Sequence, residues 1–154
     1  MEEKKIIDGS SIKPSDRIIG LASNGVHANG FTLIRYLTNR LKLKVDEYPE
    51  LLDPTRIYAP VVKRLLGEVE EVYGMAHITG GGIPENLPRC LPEGVKAHVD
   101  WNAWSVPEIF LEIQRQGNVD ELEMRRVFNC GIGFVLIVPS DIEIEGVIGE
   151  VSKY

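Results

Sequence analysis

The chain has 154 residues and a formal net charge of −6 at pH 7, and this length predicts a single domain. Apolar residues make up 44% of it and charged residues 26%, which is typical of a globular protein that buries its core without disulfides. The acidic balance argues against nucleic acid or a membrane surface as a partner, because like charges repel. It leaves room for a small basic pocket that binds one phosphate.

The sequence contains neither a targeting pattern nor a metal-binding pattern. No apolar run reaches the roughly 18–20 residues that span a bilayer, and the first residues lack the hydrophobic stretch of a signal peptide. The two cysteines, Cys90 and Cys130, form no CxxC pair, and the three histidines are scattered. We therefore expect reduced thiols, no metal site and a cytoplasmic location.

Strand-like and helix-like segments alternate along the chain, which is typical of a mixed α/β or an α+β domain. The compact apolar run at residues 17–22 predicts a buried strand. One helix is expected to begin at Asp53 or Thr55 and to end at Gly67. The whole pattern predicts strands at residues 5–7, 17–22, 73–78, 95–101, 133–138 and 147–151, and helices at residues 31–41, 53–67, 84–90, 107–117 and 118–128.

A polar loop at residues 23–30 joins a predicted buried strand to a predicted helix. Free backbone N–H groups and the positive end of the helix dipole meet there, which is a favourable place for an anion. Gly25 and Gly30 let a ligand approach the backbone closely, and His27 offers a hydrogen-bonding side chain. The same residue types also suit an ordinary capped turn, so both interpretations stay open at this point.

A second loop, residues 79–82, has three consecutive glycines between a strand and a helix. Three glycines lose much conformational entropy on folding, which favours a backbone that wraps around a substrate over a simple turn. His77, at the end of the preceding strand, is either part of that site or a structural histidine. By contrast, the pair Gly131 and Gly133 predicts close packing of a strand rather than a nucleotide loop.

Five stretches of the sequence, in order and at matching spacing, resemble the C-terminal domain of the AIR synthetase family of purine biosynthesis. They are IIDGS at residues 6–10, GLASNGVHANGF at 20–31, LDPTRIY at 52–58, GMAHITGGGIPEN at 74–86 and FNCGIGF at 128–134. The resemblance covers essentially the whole chain. Ala22, Ser23 and Asn24 stand where this family usually has Pro-Ser-Ser, Ala28 where serine is common, and Cys130 where methionine is usual.

The resemblance implies an α+β fold with α/β/α layers, a mixed sheet and a partly ferredoxin-like topology. Residues 1–154 would form the C-terminal domain, without the N-terminal ATP-binding domain. Residues 1–12 would be the start of this domain and the remnant of an interdomain strand. In the family, the N-terminal domain carries the metal-binding segment and forms the homodimer, and the active site lies in the cleft between the two domains.

The reaction implied by the resemblance is the ATP-driven ring closure of formylglycinamidine ribonucleotide to aminoimidazole ribonucleotide. The expected partners are that substrate and an N-terminal domain that binds most of the ATP and Mg²⁺. We expect no cofactor intrinsic to this chain, and no activity of the chain alone. His27 is the expected catalytic or orienting residue, and Arg56 is a candidate phosphate contact or an ordinary surface charge. The other expected substrate-binding residues are Ser23, Asn24, Gly25, Asn29, Gly30, His77, Thr79, Gly80, Gly81, Gly82 and Asn86.

Two alternatives fit the same sequence. One is the corresponding domain of a related ATP-dependent enzyme, namely selenophosphate synthetase, thiamine-monophosphate kinase, the hydrogenase maturation protein or formylglycinamidine ribonucleotide synthetase, although both loops resemble AIR synthetase more. The other is a module that binds a ribonucleotide, or scaffolds a separate ATP-binding subunit, without catalysis. An upstream in-frame segment that encodes an ATP-binding domain would distinguish a fragment from an independent module.

Overall fold

The computed structural model describes residues 6–40, 43–69 and 71–154, and within these the chain forms five strands and five α-helices. The strands are β1 (Arg17–Ala22), β2 (Gly74–His77), β3 (Val95–Val99), β4 (Ile132–Val138) and β5 (Val147–Lys153). The helices are α1 (Phe31–Arg40), α2 (Ala59–Glu68), α3 (Gly82–Asn86), α4 (Glu108–Gly117) and α5 (Glu121–Val127). Short 3-10 turns occupy Val45–Glu47, Pro49–Leu51 and Leu87–Cys90. Among the described helices, none combines the length and the apolar character that crossing a membrane requires.

The five strands form one sheet in the order β2-β4-β1-β5-β3, and every neighbouring pair is antiparallel. The predicted α+β fold is confirmed, but the expected mixed sheet is wrong. Helices between strands suggest parallel crossovers. The strands β1, β2 and β3 do run in one direction, and β4 and β5 run in the other. Because β4 lies between β2 and β1, and β5 between β1 and β3, every neighbouring pair is antiparallel.

Helices cover both faces of the sheet. Ile18 and Ile19 are consecutive in β1 and therefore point to opposite faces. Ile18 packs with Ile83 of α3 and with Leu87, whereas Ile19 packs in a cluster that includes Leu65 of α2. This arrangement gives the predicted α/β/α layers.

A second core forms between α1, α4 and α5. Leu37 of α1 and Ile113 of α4 are fully buried there. The rings of Phe110 and Phe128 meet edge to face, with 5.8 Å between their centroids. This cluster anchors the start of α1 and the turn before β4, which are the two segments that flank the candidate site.

The predicted start of α2 is wrong. The helix begins at Ala59 rather than at Asp53 or Thr55, and Ile57, which the predicted helix would include, is 78% exposed. Pro60 sits in the first turn, where its missing N–H is not needed. The preceding segment is non-helical because Arg56 is held by tertiary hydrogen bonding, as described below.

The predictions for the N-terminal region have mixed outcomes. The start of the predicted strand, residue 5, lies outside the described residues, as does residue 41, the end of the predicted helix at 31–41. Ile6 and Ile7 belong to no strand. That residues 1–12 are the remnant of an interdomain strand stays a prediction. The predicted strand at residues 17–22 is confirmed without change.

Candidate functional site

Three strand ends meet at one end of the sheet. The C-terminal ends of β1 and β2 both lie beside the start of β4, because β4 runs antiparallel between them. Ala22 pairs with Ile132, and His77 pairs with Phe134. The 23–30 loop follows β1 and the 79–82 loop follows β2 by two residues, so both start from this same end.

The two loops lie side by side. The ring centroids of His27 and His77 are 6.5 Å apart. A Cβ placed on Gly80 would lie 3.9 Å from Asn29 Oδ1. Apart from its neighbours in the chain, no other described residue would come within 4 Å of that Cβ. Residues from both loops therefore face a common surface.

A buried amide, Asn129, ties the 23–30 loop to the turn before β4. The side chain is completely buried. Its Nδ2 donates to Gly25 O at 2.9 Å, and its Oδ1 accepts from Ser23 Oγ at 2.9 Å and from the Gly131 N–H at 2.8 Å. The hydroxyl of Ser23 is thus engaged inside the protein, and the first half of the loop is fixed.

His27 lies inside the loop rather than on its surface. It is 4% exposed and has a left-handed backbone, with φ of 56°. Its Nε2 is 3.0 Å from Asn24 Oδ1, and Asn24 Nδ2 donates to Pro54 O at 3.0 Å. Burial, followed by the charges of His77 and Arg56, lowers the pKa of His27 below its ordinary value of 6.5. The imidazole is therefore neutral at pH 7.

This pKa shift predicts a pH dependence of stability. The unfolded chain protonates His27 near pH 6.5, whereas the folded chain resists protonation, so the unfolded state binds more protons below that pH. The free energy of unfolding should therefore be fully present above pH 6.5 and should fall as the pH is lowered towards the folded pKa, by at most about 1.4 kcal/mol per pH unit from this group.

Urea denaturation between pH 7.5 and 5 measures this loss, as the scan stays in roughly the range where an unperturbed histidine titrates. His27→Gln should flatten the slope below pH 6.5, whereas His98→Gln, which changes an exposed side chain, should keep it. An unchanged slope in His27→Gln would show that another group is responsible.

Tyr58 fills the space between the two histidines. Its ring centroid is 6.0 Å from that of His27, 5.9 Å from that of His77 and 5.4 Å from that of Phe134. Its hydroxyl donates to Ala22 O at 3.0 Å, and burial raises the pKa of Tyr58 to about 12. The tyrosine therefore joins the end of β1 to the aromatic cluster as a neutral donor.

Arg56 also holds the end of β1. Its Nη1 donates to Ala22 O at 2.9 Å, and its guanidinium lies 5.7 Å from the centroid of the Tyr58 ring. The side chain stays exposed, so its charge is at the surface beside His27. Whether Arg56 also contacts a phosphate stays a prediction.

The 79–82 loop is closed by Asn86. This side chain is 5% exposed, and its Nδ2 lies within hydrogen-bond distance of the carbonyl oxygens of Thr79, Gly80 and Gly82, at 3.3, 3.1 and 2.8 Å. Its Oδ1 accepts from Thr79 Oγ1 at 3.2 Å. The amide is thus used to shape the loop, while its predicted contact with substrate is untested.

Glycine is required at one position of this loop by close packing, whereas at another position an added side chain would meet no such obstacle. Gly82 has φ of 58°, and a Cβ there would collide with Arg125 O and lie 2.9 Å from Phe128 O. Packing against the end of α5 therefore requires that glycine. Gly80 meets no such crowding, and its backbone stays accessible beside Asn29.

Replacing Gly82 with alanine should destabilise the chain more than replacing Gly94. Both glycines have a left-handed backbone, but Gly94 has no atom within 4 Å of an added Cβ. Gly94→Ala should lose about 1 kcal/mol through backbone strain, and Gly82→Ala should lose a further ~1–3 kcal/mol through the collision. Equal losses in urea denaturation would show that the packing argument is wrong.

The predicted site residues fall into two groups. The first is engaged within the protein: Ser23, Asn24, His27, Arg56, Thr79 and Asn86 hydrogen-bond to other residues, and Gly25, Gly30, Gly81 and Gly82 have left-handed or related positive-φ backbones. The second is open: Asn29 and His77 form no side-chain hydrogen bond with another described residue, and Gly80 is uncrowded.

The sequence prediction missed Asn129, Tyr58 and Phe134. For Asn129 the sequence did offer a signal: it is an asparagine within the mostly apolar stretch 128–132. A buried amide there needs hydrogen-bond partners from other segments.

Metal ligands are not grouped in the part of the chain that the structure describes. No three His, Cys, Asp or Glu side chains there are close enough together to hold a metal ion. The thiol of Cys130 is buried, which raises its pKa to about 12, and it is a free cysteine. The groups that the two loops and their neighbours contribute are imidazoles, amides, backbone groups and the guanidinium of Arg56.

Comparisons with known proteins all lead to one family. A family model described as "AIR synthase related protein, C-terminal domain" matches residues 13–153. The chain is 49% identical to the phosphoribosylformylglycinamidine cyclo-ligase of Pseudothermotoga lettingae, over 99% of this chain and 47% of that protein. It is 47% identical to the protein of the same name from Citrifermentans bemidjiense, over 99% of this chain and 50% of that protein. For the one from a Synechococcus species the identity is 46%, over 91% and 43%.

The chain spans about half the length of these relatives, whereas they cover nearly all of it. The stretches that form the two loops and the turn at Asn129 lie within the matched region. Because the family model accounts for almost the whole sequence, the chain belongs to the AIR synthase related family and corresponds to its C-terminal domain.

Proposed function

We propose that this chain is the substrate-binding C-terminal half of an ATP-dependent cyclo-ligase that closes formylglycinamidine ribonucleotide to aminoimidazole ribonucleotide in purine biosynthesis. The observation that carries the proposal is the meeting of the 23–30 and 79–82 loops at one end of the sheet, with His27 and His77 6.5 Å apart. The names of the relatives support the reaction.

The ring closure depends on positioning and on neutralising charge. ATP phosphorylates the formyl oxygen, an amine nitrogen of the same molecule attacks the activated carbon, and phosphate leaves with that oxygen. In this proposal, the open groups Asn29, His77 and Gly80 hold the ribonucleotide. The first turn of α1, which follows the 23–30 loop directly, offers backbone N–H groups to its phosphate.

The complementary half of the enzyme would bind ATP and Mg²⁺. The described residues of this chain contain no cluster that suits a metal ion, so the proposal assigns the ligands of Mg²⁺ to the complementary half. Concave surfaces of about 560 and 760 Å³ lie beside β3 and β5 and include no residue of either loop. The surface of the 23–30 and 79–82 loops is thus open rather than enclosed in a pocket of this chain, and such a surface suits one wall of a cleft between two domains. The proposal also includes a homodimer for the complete enzyme, and it makes this chain inactive alone because phosphorylation needs the ATP-binding half.

Reconstitution tests this division of labour. The 154-residue chain should form no aminoimidazole ribonucleotide from ATP, Mg²⁺ and substrate, and neither should the N-terminal half of a relative. Together they should form it. Turnover by the chain alone would contradict the proposal, as would a mixture that assembles in size-exclusion chromatography but forms no product.

A further inference from the structure

His27 combines three features that are uncommon in one residue. It is 4% exposed, it has a left-handed backbone, and its Nδ1 is buried without a hydrogen-bond partner among the described residues. A buried acceptor without a partner costs about 1–3 kcal/mol, and native proteins keep few such atoms. Strained or unsatisfied groups of this kind concentrate at functional sites.

The hydrogen bonds of Asn24 determine which nitrogen of His27 carries the proton. Pro54 O can only accept, so the amide nitrogen of Asn24 must face it, at 3.0 Å. That orientation turns Oδ1, which is also only an acceptor, towards His27 Nε2, at 3.0 Å. Nε2 must therefore be the donor, and in a neutral imidazole Nδ1 is then the bare nitrogen.

Among the residues that the structure describes, no neighbour competes for that nitrogen. The hydroxyl of Tyr58, whose ring packs against His27, donates to Ala22 O. The other groups near the imidazole are His77 and Arg56. Burial, and then the electrostatic influence of these two groups, lowers the pKa of His27 and favours its neutral form. The lone pair of Nδ1 is thus kept free and unprotonated near pH 7.

Position 24 is also a place where this sequence departs from the pattern it resembles, which has serine there. A serine side chain has a single oxygen and is shorter than that of asparagine. It cannot donate to Pro54 O and accept from His27 Nε2 with two separate atoms, as Asn24 does.

We propose that Asn24 is a positioning residue, which fixes His27 as the Nε2–H tautomer and leaves Nδ1 as the hydrogen-bond acceptor of the imidazole. Because Nδ1 is buried in this structure, a ligand would reach it only once the loop opens, and the ligand group must then be a donor, an N–H or an O–H. The identification of that ligand with the amine or a hydroxyl of the ribonucleotide rests on the proposed function, whereas the tautomer does not.

Nitrogen-15 NMR of the chain labelled at histidine tests the tautomer directly. The signals of His27 are those lost in His27→Gln. In the wild-type chain the proton should be on Nε2. Asn24→Ser should raise the share of the Nδ1–H tautomer to a substantial fraction, because the acceptor for Nε2–H is lost. Asn24→Asp should raise the pKa of His27 by about one unit or more, because a carboxylate then faces Nε2.

Asn102→Ser is the matched control, because Asn102 is exposed and is distant from His27 in the sequence. This variant should leave the His27 signals unchanged. Asn24 is itself exposed, so its variants should fold. A wild-type proton on Nδ1, or a tautomer ratio that Asn24→Ser does not move, would overturn the proposal. The measurement needs no substrate. A reconstituted enzyme that forms no product would therefore count against the proposed function and not against this inference.

Discussion

Gly133→Ala is expected to disrupt the candidate site more than any other single methyl group added to the sheet. A Cβ at this position would collide with the hydroxyl of Tyr58 and would lie 2.6 Å from Cε1 of His27. Both rings are buried and neither can move without breaking a hydrogen bond, to Ala22 O or to Asn24 Oδ1. We expect a loss of about 3 kcal/mol in the free energy of unfolding, at the upper end of ordinary overpacking.

Gly67→Ala is the control for this change. Gly67 lies in α2 and an added Cβ would meet no atom within 4 Å. Alanine there should stabilise the chain by about 0.5–1 kcal/mol, because it favours the helix. Urea denaturation measures both variants. A Gly133→Ala chain as stable as the wild type would show that His27 and Tyr58 are held less tightly than the contacts indicate.

Asn129→Asp is expected to have the second large effect. The two side chains have nearly the same size, so packing is kept. The carboxylate cannot donate to Gly25 O, and it places a charge where Asn129 is completely buried. We expect a loss of about 3–5 kcal/mol in the free energy of unfolding, the range for an uncompensated buried charge. Amide hydrogen exchange should accelerate most in the 23–30 loop.

Asn102→Asp adds the same charge to an exposed side chain and should change stability by no more than about 0.5 kcal/mol. Equal effects at the two positions would mean that the net charge, rather than the lost hydrogen bond, causes the destabilisation. Uniform acceleration of exchange over the whole sheet would argue that Asn129 supports the core and not the loop in particular.

Much of the architecture could be predicted because it depends on local patterns. The apolar runs of β1 and β4 and the turn residues around them set their bounds to within about one residue. The helix predicted at residues 118–128 is found as α5, although it begins only at Glu121, where Asp120 caps it by accepting from the Leu122 N–H at 2.8 Å. The two loops were predicted for the same reason, since glycines and polar residues between a strand and a helix are visible in the sequence.

The rest depends on contacts between distant segments. The strand order, in which β4 and β5 lie between strands of the opposite direction and make the sheet fully antiparallel, depends on pairing between distant segments, which periodicity does not record. The late start of α2 follows from the hydrogen bonds that Arg56 and Tyr58 make to Ala22 O, more than thirty positions away. Asn129 was missed because its partners, Ser23 and Gly25, are more than a hundred positions away.

If both loops form one ligand surface, a ligand should perturb them together, and chemical-shift mapping tests this most directly. The nitrogen-15-labelled chain, mixed with the unlabelled complementary half, would be titrated with formylglycinamidine ribonucleotide. The amide signals of residues 23–30 and 79–82 should shift together, with one shared dissociation constant, while those of β3, at the far edge of the sheet, stay in place. Shifts confined to one loop, or centred on the groove beside β3, would contradict the account.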